Sequence, residues 1–135
     1  MNQPDQTNDL ALLIAAPHPG ETAMYNDLTA MIQALLARGF SADEILCLHG
    51  RLDRPLVVSF LQSASRRVAG WSEGSVFLHV SSHGFFTGDT AEDARPGLLF
   101  GDSEDVADDD HLFWDELFAV LALPAGVRLT LLPDL

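Results

Sequence analysis

Along the chain, short unbroken apolar runs alternate with longer stretches in which apolar residues recur every three or four positions. Leu10-Ala11-Leu12-Leu13-Ile14-Ala15 is the first run, closed by Ala16-Pro17-His18-Pro19-Gly20, and it predicts a buried strand followed by a loop. From Met24 to Arg38 the residues Met24, Leu28, Met31, Ile32, Leu35 and Leu36 fall at helical spacing, and Gly39 stands where a C-terminal cap is needed. Ile45 to His49 reads as a second strand ended by Gly50. Leu56, Val57, Phe60, Leu61, Ala64 and Val68 then mark a second helix, with Pro55 near its first turn and Gly70 after it.

The stretch from Ser75 to Ser81 predicts a third strand, buried on both faces, which stops at Ser82-His83-Gly84. Gly84 reads as the point where the backbone is released. Beyond it the pattern loosens. Phe85 to Asp110 is rich in acids, is interrupted by Gly88, Pro96, Gly97 and Gly101, and holds one apolar island at Leu98-Leu99-Phe100, so it reads as a long surface excursion. A third helix is expected over roughly Leu112 to Ala122, capped by Asp109 or Asp110. Pro124-Ala125-Gly126 breaks it, Val127 to Leu132 forms a fourth strand, and Pro133-Asp134-Leu135 ends the chain.

Strands alternating with helices imply right-handed crossovers and a mainly parallel sheet. The expected class is α/β, a three-layer sandwich whose strand order is 2-1-3-4 if the first crossover runs one way and the next the other. This order makes the third and fourth strands neighbours and puts His83 and Asp134 at adjacent carboxyl ends, where open α/β sheets gather ligands and chemistry. The organisation expected is a flexible polar tail over residues 1–9 and a single domain over 10–135.

Composition narrows the partners. Seven arginines and no lysine face twenty acids, for a formal charge of −13. That balance argues against a nucleic-acid partner bound through its phosphates, and it favours a cationic peptide or substrate. No apolar run approaches the length that spans a bilayer, and the first residues lack a signal peptide's apolar core, so a cytoplasmic protein with no membrane partner is expected. One cysteine, Cys47, fits a reducing compartment. It is expected to be buried in the second strand, where its thiol would act as a small hydrophobe rather than a nucleophile.

Several chemistries lack their motifs. There is no Gly-x-x-x-x-Gly-Lys loop and no Gly-x-Gly-x-x-Gly after the first strand. The serine-hydrolase elbow fails because Val80 occupies the position where Gly-x-Ser-x-Gly requires glycine. The acidic run from Asp102 lacks the glycine and the terminal glutamate of an EF-hand loop. His18 and His49 fall at strand ends and read as turn residues, His79 as core, and His111 as a residue at a helix start. Trp71 and Trp114 read as packing residues.

The order of elements, with Ser82-His83-Gly84 after the third strand and Leu131-Leu132-Pro133-Asp134 after the fourth, resembles the caspase-like cysteine peptidases, in particular the metacaspase and orthocaspase type. The resemblance runs nearly end to end. It includes Ala11-Leu12-Leu13-Ile14, Asn26-Asp27 opening the first helix, Gly39-Phe40 closing it, and Leu123 to Thr130 leading into strand four. It implies the large-subunit portion of a caspase-like sandwich. In that family the histidine is the general base and the nucleophile is the cysteine of an Asp-x-Cys sequence, of which Asp134-Leu135 supplies the first two residues.

The resemblance therefore implies His83 as base, Gly84 as a backbone N–H donor near the oxyanion, and a nucleophilic cysteine expected just beyond Leu135. Asp27 and Asp134 match acids that line a pocket for a substrate arginine or lysine. It implies protein or peptide substrates with basic residues, and a downstream small-subunit portion or second chain that completes the sheet. No cofactor is required by the sequence, and calcium enters by the resemblance alone. Two bland readings stand beside these. Asp27 is also a helix-start acid stabilised by the dipole, and the whole chain also reads as a catalytically inactive caspase-like module that binds a partner or acts as a scaffold. A third possibility, an unrelated doubly wound small-molecule-binding domain, needs only the fold.

Overall fold

The computed structural model describes residues 8–17, 22–100 and 110–134. In chain order they form β1 (Asp9–Ala15), α1 (Ala23–Ala37), β2 (Ile45–His49), α2 (Arg54–Val68), β3 (Gly74–Ser81), β4 (His83–Thr87), β5 (Arg95–Leu99), β6 (His111–Phe113), α3 (Trp114–Val120) and β7 (Val127–Asp134). A parallel sheet in the order β2-β1-β3-β7 carries the architecture. This is the predicted 2-1-3-4 arrangement, with β7 as the fourth parallel strand, and it establishes a mixed α/β protein with helices flanking a parallel sheet. β1 is central, which is why every residue from Leu10 to Ala16 is fully buried.

The alternation of side chains along each strand divides the core into two layers. Leu10, Leu12, Ile14, Val76, Leu78 and Val80 face α2 and α3 and join Val57, Leu61, Ala64, Val68 and Leu117. Ala11, Leu13, Ala15 and Phe77 face the other way and pack beneath Leu28, Met31 and Leu35 of α1. The helix ends are closed by the residues that predicted them. Gly39 sits at φ +103°, its amide bonds to Leu36 O and the Phe40 amide bonds to Leu35 O, each at 3.1 Å, so Gly39 and Phe40 complete a Schellman motif. Asp53 caps α2 by accepting from the Leu56 amide at 2.9 Å. Trp71 and Trp114 both pack at the margin of the larger core, as expected of packing residues.

Several expectations are corrected. Where the sequence reads as a surface excursion after Phe85, the described residues build a second, antiparallel sheet in the order β4-β5-β6. Leu98 and Leu112 from this sheet are fully buried in the larger core. Gly97 makes the pairing possible, because a Cβ there would lie 2.6 Å from the Phe85 ring on the neighbouring strand. Helix α3 begins at Trp114 rather than Leu112, and its first turn is closed by Glu116 accepting from the Phe113 amide rather than by Asp110. His111 is therefore a buried strand residue, edge-on to Phe85 and Phe113, and not a helix-start residue.

Two further corrections come from the sheet edges. Pro133 and Asp134 continue β7 instead of ending it. The Ser82 amide donates to Asp134 O, so alternate residues of β7 turn their backbone groups toward β3 and the residues between them, including Pro133, face the outer edge. A proline costs no ladder bond in that position. Cys47 lies on the opposite edge strand and is exposed rather than buried, although neighbouring apolar groups still raise its thiol pKa by desolvation. The acidic run over 101–109, the tail over 1–7, His18 and Leu135 lie outside the described residues.

An ion pair ties α2 to α3 within their shared layer. Arg54 donates through both terminal nitrogens to the Glu116 carboxylate, with Nη1 to Oε1 at 2.9 Å. This hydrogen bonding holds the Glu116 carboxyl at about 2, well below its usual 4.5. A depressed carboxylate contributes stability that is fully present above its unfolded value and is lost as pH falls toward the folded one. Stability is thus expected to drop between pH 4.5 and about 2, and Glu116→Gln should flatten that decline. Because both partners are partly exposed, the difference expected in urea unfolding is about 1 kcal/mol.

Candidate functional site

The carboxyl edge of the parallel sheet is built by hydrogen bonds that continue past the strand ends. The Gly50 amide bonds to Ala15 O at 3.1 Å, the Ala16 amide to Ser81 O at 2.9 Å, and the Ser82 amide to Asp134 O at 3.2 Å. Register aligns His49 with Ala15, Ala15 with Ser81, and Ser81 with Asp134 in one row across the sheet. At Ser82 the chain bends out of the parallel sheet, and His83 becomes the first residue of β4, paired with Leu99. His83 is half-buried. Its place beside the end of β7 is thus fixed from two sides, by the Ser82–Asp134 bond and by the second sheet.

Gly84 is an exposed strand residue paired with Leu98, and its φ is not positive. The expected release of the backbone at this glycine does not occur, because pairing with β5 holds it extended. Asp134 is exposed at the end of β7, one residue across from Ser81 and next to the bend that leads into His83. His83, Gly84 and Asp134 are therefore brought together at one edge. Asp27 is exposed and sits one turn inside α1, which begins at Ala23, so it is not a first-turn acid. Tyr25 meets His49 edge-on with ring centroids 5.6 Å apart, which places this end of α1 over the same carboxyl edge. α1 packs over β1 and β3, whereas Asp134 stands on the edge strand β7.

Two residues on β3 carry more than the sequence suggested. His79, only 4% exposed, places Nδ1 3.0 Å from the Leu132 carbonyl on β7. The core placement expected for it holds, but its Nε2 is buried with no partner among the described residues, and so is the Ser81 hydroxyl. Both stand on the α1 side of the sheet, one pleat apart. The signal available in the sequence was polar residues at alternate positions of an otherwise apolar strand.

The remaining chemistry lies elsewhere. Cys47 is two strands away from β3, with its thiol pKa raised, and is not placed to act with His83. Two grooves, of about 410 and 340 Å³, open at the amino edge, lined among others by Asp9, Glu73 and Arg128 in one and Asp43, Glu44 and Arg67 in the other. They are at the opposite end of the strands from His83. Among the described residues no group of three or more His, Cys, Asp or Glu side chains is arranged to hold a metal ion, so calcium is assigned to no residue. No helix among them is long and apolar enough to cross a membrane. No family model matches the chain, and no curated protein matches it either.

Proposed function

We propose that this chain is the histidine-bearing portion of a caspase-like cysteine endopeptidase of the metacaspase type that cleaves after arginine or lysine. The observation that supports this reading is the register of β3 with β7, in which Ser81 pairs with Asp134 and the Ser82 amide bonds to Asp134 O. His83 thus follows directly on the row of residues where β7 ends, with the expected nucleophile two residues after Asp134, just beyond Leu135. His83 would take the thiol proton, the thiolate would attack the peptide carbonyl, and the imidazolium would return the proton to the leaving amine. The exposed backbone at Gly84 is free of a side chain and suits a donor to the developing oxyanion. A carboxylate at Asp134 suits a guanidinium because paired hydrogen bonds add direction to charge, and Asp27 would contribute from one turn inside α1.

The test is a protein extended past Leu135 by its own downstream coding sequence. It is expected to contain a cysteine at the first added position and to cleave an arginine-containing peptide, while the chain ending at Leu135 does not. Asp134→Asn in the extended protein should raise KM for that peptide by about tenfold to a hundredfold with a smaller change in kcat. An extended protein with no cysteine there and no cleavage would end the peptidase reading.

One observation favours a second reading, an inactive caspase-like binding or scaffold module. Among the described residues β7 pairs only with β3, so its outer edge offers unpaired backbone groups to an added strand, whether from a downstream portion or from a second chain. Size-exclusion chromatography of the chain with and without the downstream fragment separates the cases. A clean monomer with no affinity for that fragment counts against it.

A further inference from the structure

We infer that His79 is a positioning residue, whose ring ties the end of β7 to β3 and so sets where Asp134 stands relative to His83. The ring and its acceptor are register partners, His79 opposite Leu132, and Nδ1 approaches the Leu132 carbonyl at 3.0 Å. A carbonyl oxygen only accepts, so Nδ1 is the donor and the tautomer is fixed by the bond. The bond is shielded, since the imidazole is 4% exposed. Besides the backbone ladder with β3, little else holds this end of β7. Leu132, Pro133 and Asp134 are all exposed on an edge strand with a neighbour on one side only among the described residues. Past Leu132 the tie to β3 continues at the Ser82–Asp134 backbone bond of 3.2 Å.

A histidine kept only as core filler is a poor choice at this place. Its Nε2 is buried without a partner, and a buried polar atom of that kind is destabilising. An apolar side chain such as leucine or phenylalanine would occupy the place without an unpaired polar atom. The ring earns its place through Nδ1, which lies two residues before Asp134 on one strand and four before His83 on the other. This role rests on the proposed site only in naming what is positioned.

Backbone amide exchange tests it without cysteine or substrate. In His79→Phe the Ser82 amide, whose acceptor is Asp134 O, is expected to exchange about five- to tenfold faster relative to the amides of Leu12 and Leu78. His79→Asn, whose side-chain amide nitrogen reaches a place close to that of Nδ1, should restore slow exchange. His79→Gln, which reaches toward Nε2 instead, should not. Unchanged Ser82 exchange in the phenylalanine variant overturns the inference. Equal acceleration at Ser82, Leu12 and Leu78 also overturns it, because that is the signature of general destabilisation. An inert extended protein with the expected exchange pattern would end the peptidase reading and leave the tie intact.

Discussion

Replacing His83 with alanine in the protein extended past Leu135 is expected to lower kcat/KM for an arginine-containing peptide by about 10³-fold or more, while leaving the urea midpoint nearly unchanged. The two halves of this expectation have separate physical origins. A thiol near its ordinary pKa is mostly protonated at neutral pH, so removing the base leaves few thiolates and no donor for the leaving amine. The fold is spared because the ring is half-buried at the first position of β4, outside both cores of the main sheet. Cleavage that survives the substitution within tenfold would require another base, and with it another site. A large fall in stability would instead make His83 a structural residue of the bend. Circular dichroism on the same samples separates the two.

The largest effect on stability is expected at Leu78. It is fully buried at the centre of β3, between Leu12 on β1 and Leu131 on β7, within the layer covered by α2 and α3. Leu78→Ala removes apolar surface from a position where neither flanking strand can close in without breaking register, so a cavity remains. The expected cost is about 2–5 kcal/mol, a large share of the stability of a small domain. It should appear as a lower urea midpoint with an unchanged slope. Leu132→Ala is the control. Leu132 is 46% exposed on the uncovered side of β7, and its truncation should cost under about 1 kcal/mol. Equal losses at the two positions would contradict the layer assignment.

How much was legible in the sequence follows from the range of the interactions involved. Apolar runs and periodicity report burial, and they marked all four parallel strands and the first two helices to within a few residues. Glycine and proline report local backbone needs, as Gly39 and Pro55 do at their helix ends. The second sheet was invisible because its strands are short and are interrupted by Gly84, Pro96 and Gly97. Phe85-Phe86-Thr87 and Leu98-Leu99 become strands only once Gly97 lets the Phe85 ring lie across it and Leu98 and Leu112 find a core to enter. The exposure of Cys47 was equally unreadable, since an edge strand and a central one share the same local pattern.

The sequence by itself determined the α/β class and the residues at the carboxyl ends of the parallel strands, because these depend on local burial patterns, while the strand order followed only once the direction of each crossover was assumed. Only the tertiary structure decided that His83 opens a paired strand rather than a loop, that Gly84 is held extended, and that Asp27 stands a turn inside α1. The tie from His79 to Leu132 joins residues 53 positions apart, and a bond of that span exists only after both strands have been placed in register.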